Sequence, residues 1–189
     1  MNIDTTLLQA CRQNDRKAQA QLYKSCFSLL MSVCIRYKND EAEARAVLNQ
    51  GFLKILTNLE KYDPKIPFEA WIRRIMINTV IDEFRKYKKE KEYTQYTDFS
   101  ATDTFDDRVD YNAADQMFDA ADVEYFVKQL PPVTQKVFNL YIVDGYAHKE
   151  IGEMLDMTEG TSKWHLSSAR KRLKEMLKEA MEKERVRSL

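Results

Sequence analysis

Apolar side chains return at helical spacing along nearly the whole chain, and this periodicity constrains the fold more than any single motif. Leu7, Leu8 and Cys11 share one side between Asp4 and Asn14. Leu22, Tyr23, Cys26, Leu29, Leu30 and Val33 do so between Ala18 and Tyr37, and Ala44, Val47, Leu48, Phe52 and Ile55 between Asp40 and Leu59. A repeat near 3.6 residues calls for helices packed by one face rather than for strands. Four glycines and four prolines in 189 residues leave little turn chemistry for a many-stranded sheet. The expectation is an all-α, soluble chain. The longest apolar stretch, Phe27 to Ile35, is too short to span a bilayer, and Met1 to Asp4 has no basic region before an apolar core. A cytoplasmic protein without membrane insertion is expected.

The formal charge of zero conceals three unequal segments. Residues 1–93 carry 17 basic against 12 acidic side chains, net +5, and residues 126–189 carry 12 against 9, net +3. Between them, residues 94–125 hold Arg108 against nine carboxylates, net −8. This middle segment lacks a sustained apolar period and is rich in Ser, Thr, Asn and Asp, so it reads as a flexible acidic linker between two small helical domains. Tyr96, Phe99, Phe105, Tyr111 and Phe118 punctuate it, as in a tether that docks on something basic or in a solvated spacer with incidental aromatics.

Tyr62 to Phe68 contains Pro64 and Pro67 and reads as a loop, because two prolines three apart break helical pairing. A long helix follows to about Lys89. Trp71, Ile75 and Thr79 fall on one side of it, and Ile77, Val80 and Phe84 on another, so two faces are expected to be buried. Arg74, Asn78, Arg85 and Lys89 lie within about 60° of one another on the remaining surface. That polar stripe suits nucleic acid or a solvated face, with Asp82 beside it to offset charge.

Leu130-Pro131-Pro132 is a helix-entry signal, followed by an expected helix from Val133 to Val143 and a turn at Asp144-Gly145. A short helix, Ala147 to Leu155, then meets the turn Asp156-Met157-Thr158, where Thr158 can cap the next helix. Two helices joined by so tight a turn form a helix-turn-helix arrangement. On the second helix, from Glu159 to about Lys178, Ser162, Leu166, Ala169, Leu173 and Leu177 form the inward stripe. Gly160, Trp164, Ser167, Ser168 and Lys171 form the outward one, flanked by Lys163 and His165. Small and hydrogen-bonding residues suit a DNA groove, and Arg170, Lys171, Arg172 and Lys174 suit phosphates. Trp164 either meets a partner, such as a thymine methyl or a sugar, or folds back on a neighbouring helix. His165 reads as a surface or phosphate-contacting residue, since no carboxylate adjoins it in sequence.

Catalytic patterns are missing: there is no Gly-rich phosphate loop, GxSxG, HExxH or Glu-x-x-His. An enzyme, a cofactor and a metal are therefore not expected. Cys11, Cys26 and Cys34 read as buried free thiols in a reducing compartment, and no CxxC pair or histidine cluster offers a zinc site.

Leu130 to Tyr141, Gly145, Glu150-Ile151, Glu159 to Lys163, Leu166 and Ala169 to Leu173 resemble region 4 of bacterial sigma factors of the extracytoplasmic-function group. Phe68 to Ile75, with Asn78, Ile81-Asp82 and Arg85, resembles the promoter-reading helix of region 2. Gln50 to Lys54 resembles the preceding core-binding helix. The resemblance implies region 2 at residues 1–93 and region 4 at residues 126–189. In region 2, Asn49, Gln50, Phe52 and Leu53 would meet RNA polymerase core at its clamp helices, and region 4 would meet the flap. Lys61, Tyr62 and Phe68 would hold a flipped-out base of the melted −10 strand, while Arg74, Asn78 and Arg85 followed that strand. Thr161, Lys163, Trp164, His165, Ser167 and Ser168 would face the −35 major groove, with Arg170 and Lys171 on phosphates. The acidic linker would thread basic channels of the polymerase. An anti-sigma factor is a further partner that the resemblance allows.

Departures from the family pattern sharpen these expectations. Arg45, Ala46 and Gln50 stand where carboxylates are usual, which weakens the expected core contact unless Glu41 and Glu43 compensate. Asp156 stands where glycine is usual and is expected in left-handed geometry. Trp164, His165 and Ser168 replace commoner polar or basic residues, so an unusual −35 preference follows. Two other readings remain open: a polymerase-independent helix-turn-helix regulator, and a degenerate sigma-like chain that binds DNA or titrates an anti-sigma partner without initiating transcription.

Overall fold

The computed structural model describes residues 3–92 and 120–187, with side chains over 3–86 and 122–182. The chain divides into two units, Met1–Gln95 and Tyr96–Leu189. The first holds α1 (Thr5–Arg12), α2 (Arg16–Tyr37), α3 (Glu41–Thr57), a 3₁₀ turn (Leu59–Lys61) and α4 (Phe68–Glu92). The second holds α5 (Ala120–Lys128), α6 (Pro132–Phe138), a π turn (Asn139–Val143), α7 (His148–Leu155) and α8 (Glu159–Arg187).

Aspartates start the first three helices. The Asp4 carboxylate accepts from Thr6 N–H at 3.0 Å, Asp15 from Lys17 N–H at 2.7 Å and Asp40 from Glu43 N–H at 2.9 Å. Each satisfies a donor that the first helical turn leaves unpaired. Leu22, Leu30, Val33, Val47, Leu48, Ile55, Ile72 and Met76 are wholly buried between α2, α3 and α4. On α3, Gly51 leaves room for the end of the Met76 side chain of α4, which a Cβ there would displace. Cys11, Cys26 and Cys34 are buried free thiols, and burial pushes Cys26 and Cys34 up to about 12. Such thiols stay protonated and unreactive at neutral pH.

Two features of the second unit differ from the sequence expectation. Residues 120–125, read as the end of the linker, are the first turns of α5. Val127 and Leu130 pack there on Ala169, with Phe138, Leu173 and Met176 around them. The acidic neighbours Asp122 and Glu124 masked this apolar period. The helix expected over 133–143 is α-helical only to Phe138; the Asp144 N–H then reaches back five residues to Asn139 C=O at 3.0 Å. Apolar spacing cannot reveal one widened turn. The aromatics Tyr96, Phe99, Phe105, Tyr111 and Phe118, and the Lys89 side chain, lie outside the described residues.

Between α7 and α8, Asp156 sits at φ 57°, ψ 56°, the left-handed cap expected of it. The Met157 N–H donates to Gly152 C=O at 3.0 Å, and a Cβ on Gly152 would come within 2.8 Å of the Met157 carbonyl oxygen. Only glycine lets the turn fold back this closely. Thr158 then caps α8, its hydroxyl accepting from Thr161 N–H at 3.0 Å.

Candidate nucleic-acid interface

Helix α8 is divided as its sequence periodicity requires. Ser162, Leu166 and Ala169 are buried, Leu173 and Leu177 half-buried, and Gly160, Lys163, Arg170 and Lys171 exposed. Trp164, Ser167 and Ser168 are half-buried on the other side. Trp164 meets His165 edge-to-face, with ring centroids 4.9 Å apart. His165 is no free surface group, because its Nδ1 lies 3.0 Å from the Thr134 hydroxyl on α6. His148 repeats the arrangement: its Nδ1 lies 2.9 Å from the Ser162 hydroxyl, and its ring stacks on Tyr141 at 4.3 Å. These two imidazole–hydroxyl pairs tie α8 to α6 and α7. Sequence reasoning missed His148 altogether; the signal was a serine on the inward stripe, which needs a buried partner.

Several polar groups of α8 are already engaged. Lys163 Nζ pairs with the Glu159 carboxylate at 2.7 Å, holding that carboxyl below its usual range through the hydrogen bond and the charge. The Thr161 hydroxyl lies 2.8 Å from that of Thr158. Both ion-pair partners are about half exposed, so the lysine can be exchanged to a phosphate at little cost.

In the first unit, the loop after the 3₁₀ turn is shaped by its own polar groups. The Tyr62 hydroxyl donates to Ile66 C=O at 2.8 Å, and the Lys65 N–H to the Asp63 carboxylate at 2.9 Å. Tyr62, Phe68 and Trp71 form one aromatic cluster, with centroids 5.1 Å apart for Tyr62–Phe68, 5.2 Å for Tyr62–Trp71 and 5.7 Å for Phe68–Trp71. Phe68, expected as a pocket wall, is only 7% exposed and lies in the core, where it supports the other two. Trp71, one helical turn along α4, is half-buried. Lys61, Arg74 and Asn78 are exposed and Arg85 is half-buried. Asp82, expected beside this stripe, pairs with Lys54 on α3 at 3.1 Å.

On α3, Asn49, Gln50 and Leu53 are exposed, Leu53 at 61%. Asn49 Oδ1 accepts from the Tyr23 hydroxyl at 2.9 Å. Phe52, expected at the same contact, is buried against Tyr23 with centroids 5.0 Å apart, so it supports the face from within. Glu41 and Glu43 are exposed and pair with Arg45 at 2.7 Å and with Lys38 at 3.7 Å. Lys38 also binds Glu83 at 2.7 Å, tying α2 to α4.

Among the described residues, no group of three or more His, Cys, Asp or Glu side chains is placed to hold a metal ion, and no helix is long and apolar enough to cross a membrane.

Residues 22–90 match the family described as Sigma-70 region 2, and residues 121–173 match Sigma-70, region 4. The ECF RNA polymerase sigma factor SigW of Bacillus subtilis is 22% identical over 182 residues, covering 91% of this chain and 95% of that protein. The ECF RNA polymerase sigma factor SigE of Mycolicibacterium smegmatis is 22% identical over 142 residues, 75% of this chain and 54% of that one. Among solved structures, RpoE of Bartonella quintana, crystallised with the anti-sigma factor NepR, shares the fold at TM-score 0.50 and 17% identity, over 84% of this chain and 97% of that one. With region 2 and region 4 in order on one chain, each on its own unit, the protein belongs to the sigma-70 family as an ECF sigma factor, a non-catalytic subunit that directs RNA polymerase to promoters.

Proposed function

We propose that the two units divide promoter reading between them. In the second, assigned to residues 126–189 with α5 as its added edge, α8 enters the −35 major groove. Trp164, Ser167 and Ser168 face base edges, Thr161 and Lys163 lie at the helix start, and Arg170 and Lys171 grip phosphates. His165 acts beneath Trp164 and orients it. In the first unit, residues 1–93, Tyr62 and Trp71 form the aromatic surface for an unstacked base of the −10 strand, with Lys61, Arg74, Asn78 and Arg85 along its backbone. The observation that carries this reading is α8 itself: its inward stripe is buried while Lys163, Arg170 and Lys171 remain exposed around the half-buried Trp164.

Protein contacts follow from exposed apolar side chains. Leu53, beside Asn49 and Gln50, is the anchor offered to the clamp helices of RNA polymerase core. Ile142 and Val143, exposed at 47% and 48% on the π turn, are offered to the flap. An anti-sigma factor, as bound by Bartonella RpoE, would compete for these same patches. The net −8 of residues 94–125 suits a basic channel of the polymerase. The chain works in the cytoplasm, where its core enzyme and promoter DNA are found.

Two substitutions test the −35 assignment in holoenzyme reconstituted from core polymerase. Trp164→Ala is expected to weaken binding to a cognate promoter by about 1–3 kcal/mol while leaving a promoter with a scrambled −35 element nearly unaffected. Lys171→Ala is expected to weaken both alike and to lower the salt slope by about one. Equal losses on both duplexes for Trp164→Ala would refute direct reading by that side chain.

A further inference from the structure

Ser162 is wholly buried within α8, although it directly precedes Lys163 on the face assigned to DNA. A buried hydroxyl without a partner is costly, and the partner here is the His148 imidazole at 2.9 Å. His148 is the first residue of α7 and stacks on Tyr141 of the π turn, the two rings being nearly parallel at 19°. One ring therefore joins three elements and contacts α8 one residue from its DNA-facing side. Leu166 and Ala169, buried on the same stripe, seat the helix by packing, and the hydrogen bond adds a directional constraint near its start.

The charged groups around this ring are those that DNA would engage. From α8, Lys163 and Arg170 act on His148 as cations and Glu159 as an anion, while Lys149, next in sequence, acts on Glu159. Tyr141 contributes a neutral phenol from the π turn. We propose that His148 is a positioning residue for base reading by α8, fixing the helix through Ser162 and taking up a proton as phosphates engage Lys163 and Arg170. The inference rests on α8 being the −35 reader.

The sign follows from the burial of the ring and the charges beside it. In the free chain, burial and then Lys163 hold the His148 pKa below its ordinary value, with Arg170 acting in the same direction. Phosphates neutralise both cations, and Lys163 leaves Glu159 for DNA, so the imidazolium becomes easier to form in the complex. DNA binding then takes up a proton, and by linkage affinity rises as pH falls. The fold responds in the opposite sense. A histidine with a lowered pKa contributes stability that is present above about pH 6.5 and is lost as pH falls below it. Acid thus loosens the free unit while tightening its DNA complex, a divergence that mere structural support would not produce.

The test uses holoenzyme containing the full chain, a promoter duplex defined by mapped transcription starts, and the same duplex with a scrambled −35 element. Binding is measured at constant ionic strength between about pH 8 and about pH 6. Cognate affinity of the unaltered protein is expected to rise about threefold toward the acid end. His148→Ala is expected to lower the cognate-to-scrambled ratio about tenfold. His148→Asn can place an amide near the position of Nδ1; it should restore most of that ratio while leaving no pH slope. Thermal melts of each variant report whether the fold persists, and the Asn variant keeps the test decisive if the Ala variant unfolds. A His148→Asn chain with the pH slope of the unaltered protein would overturn the inference alone. An unaltered chain indifferent to the −35 sequence would overturn the α8 reading and this inference with it.

Discussion

Among the described residues, the first unit buries one polar side chain, Thr79, whereas the second buries five: Thr134, Gln135, Lys136, Asn139 and Ser162. Thr79 spends its hydroxyl on its own helix, donating to Ile75 C=O at 2.8 Å. Thr134 and Ser162 instead bond across helices to the imidazoles of His165 and His148. Apolar packing between α2, α3 and α4 makes a firm platform on which a loop and an aromatic cluster can be mounted. On the proposed reading the second unit presents α8 to DNA, and the rotation of that helix decides which side chains would meet the bases. Directional bonds suit that task better than dispersion alone, at the cost of leaving stability dependent on a few polar pairs.

Breaking the apolar side of this comparison should have the largest effect. Leu48→Ala, in the wholly buried layer between α2, α3 and α4, is expected to destabilise the first unit by about 2–5 kcal/mol, read as a lower midpoint in urea. Thr134→Val keeps the volume but leaves His165 Nδ1 without its hydroxyl, and is expected to cost about 1–3 kcal/mol. Asp156→Gly, at a left-handed φ of 57°, is expected to change stability by about 0.5 kcal/mol in the favourable direction. Thr79→Val, the same exchange as at Thr134, is expected to stay within about 0.5 kcal/mol, because Ile75 C=O belongs to a helix that continues without it. Similar losses for the two threonine variants in a thermal melt would erase the distinction between the units.

The helices of the first unit were legible because their apolar residues recur at 3.6-residue spacing, although the start of α2 was placed at Ala18, past its Asp15 cap. The helix-turn-helix was legible because Asp156, Thr158 and the buried stripe of α8 are local signals. Three things were not. Helix α5 was masked by carboxylates beside Val123, Phe126 and Val127. The π turn differs from an α-helix by one hydrogen-bond register, to which apolar spacing is blind. Whether Phe52, Phe68 or Trp71 reaches the surface depends on neighbouring helices rather than on residue type. That Arg74, Asn78 and Lys171 lie on exposed helix faces followed from periodicity, and the part proposed for them from the resemblance; the imidazole pairs behind α8 had no local signal, since Thr134 and His165 are 31 residues apart.

The division of labour between the units is tested most directly by sequencing transcription starts on fragmented genomic DNA. Holoenzymes would carry the unaltered chain, an Arg74→Ala, Asn78→Ala double variant, or a Trp164→Ala, Ser168→Ala double variant. The first variant is expected to change base preference only at the −10 element and the second only at the −35 element. A variant of one unit that alters preference at the other element, or starts that share no −35 and −10 sequences, would contradict the account.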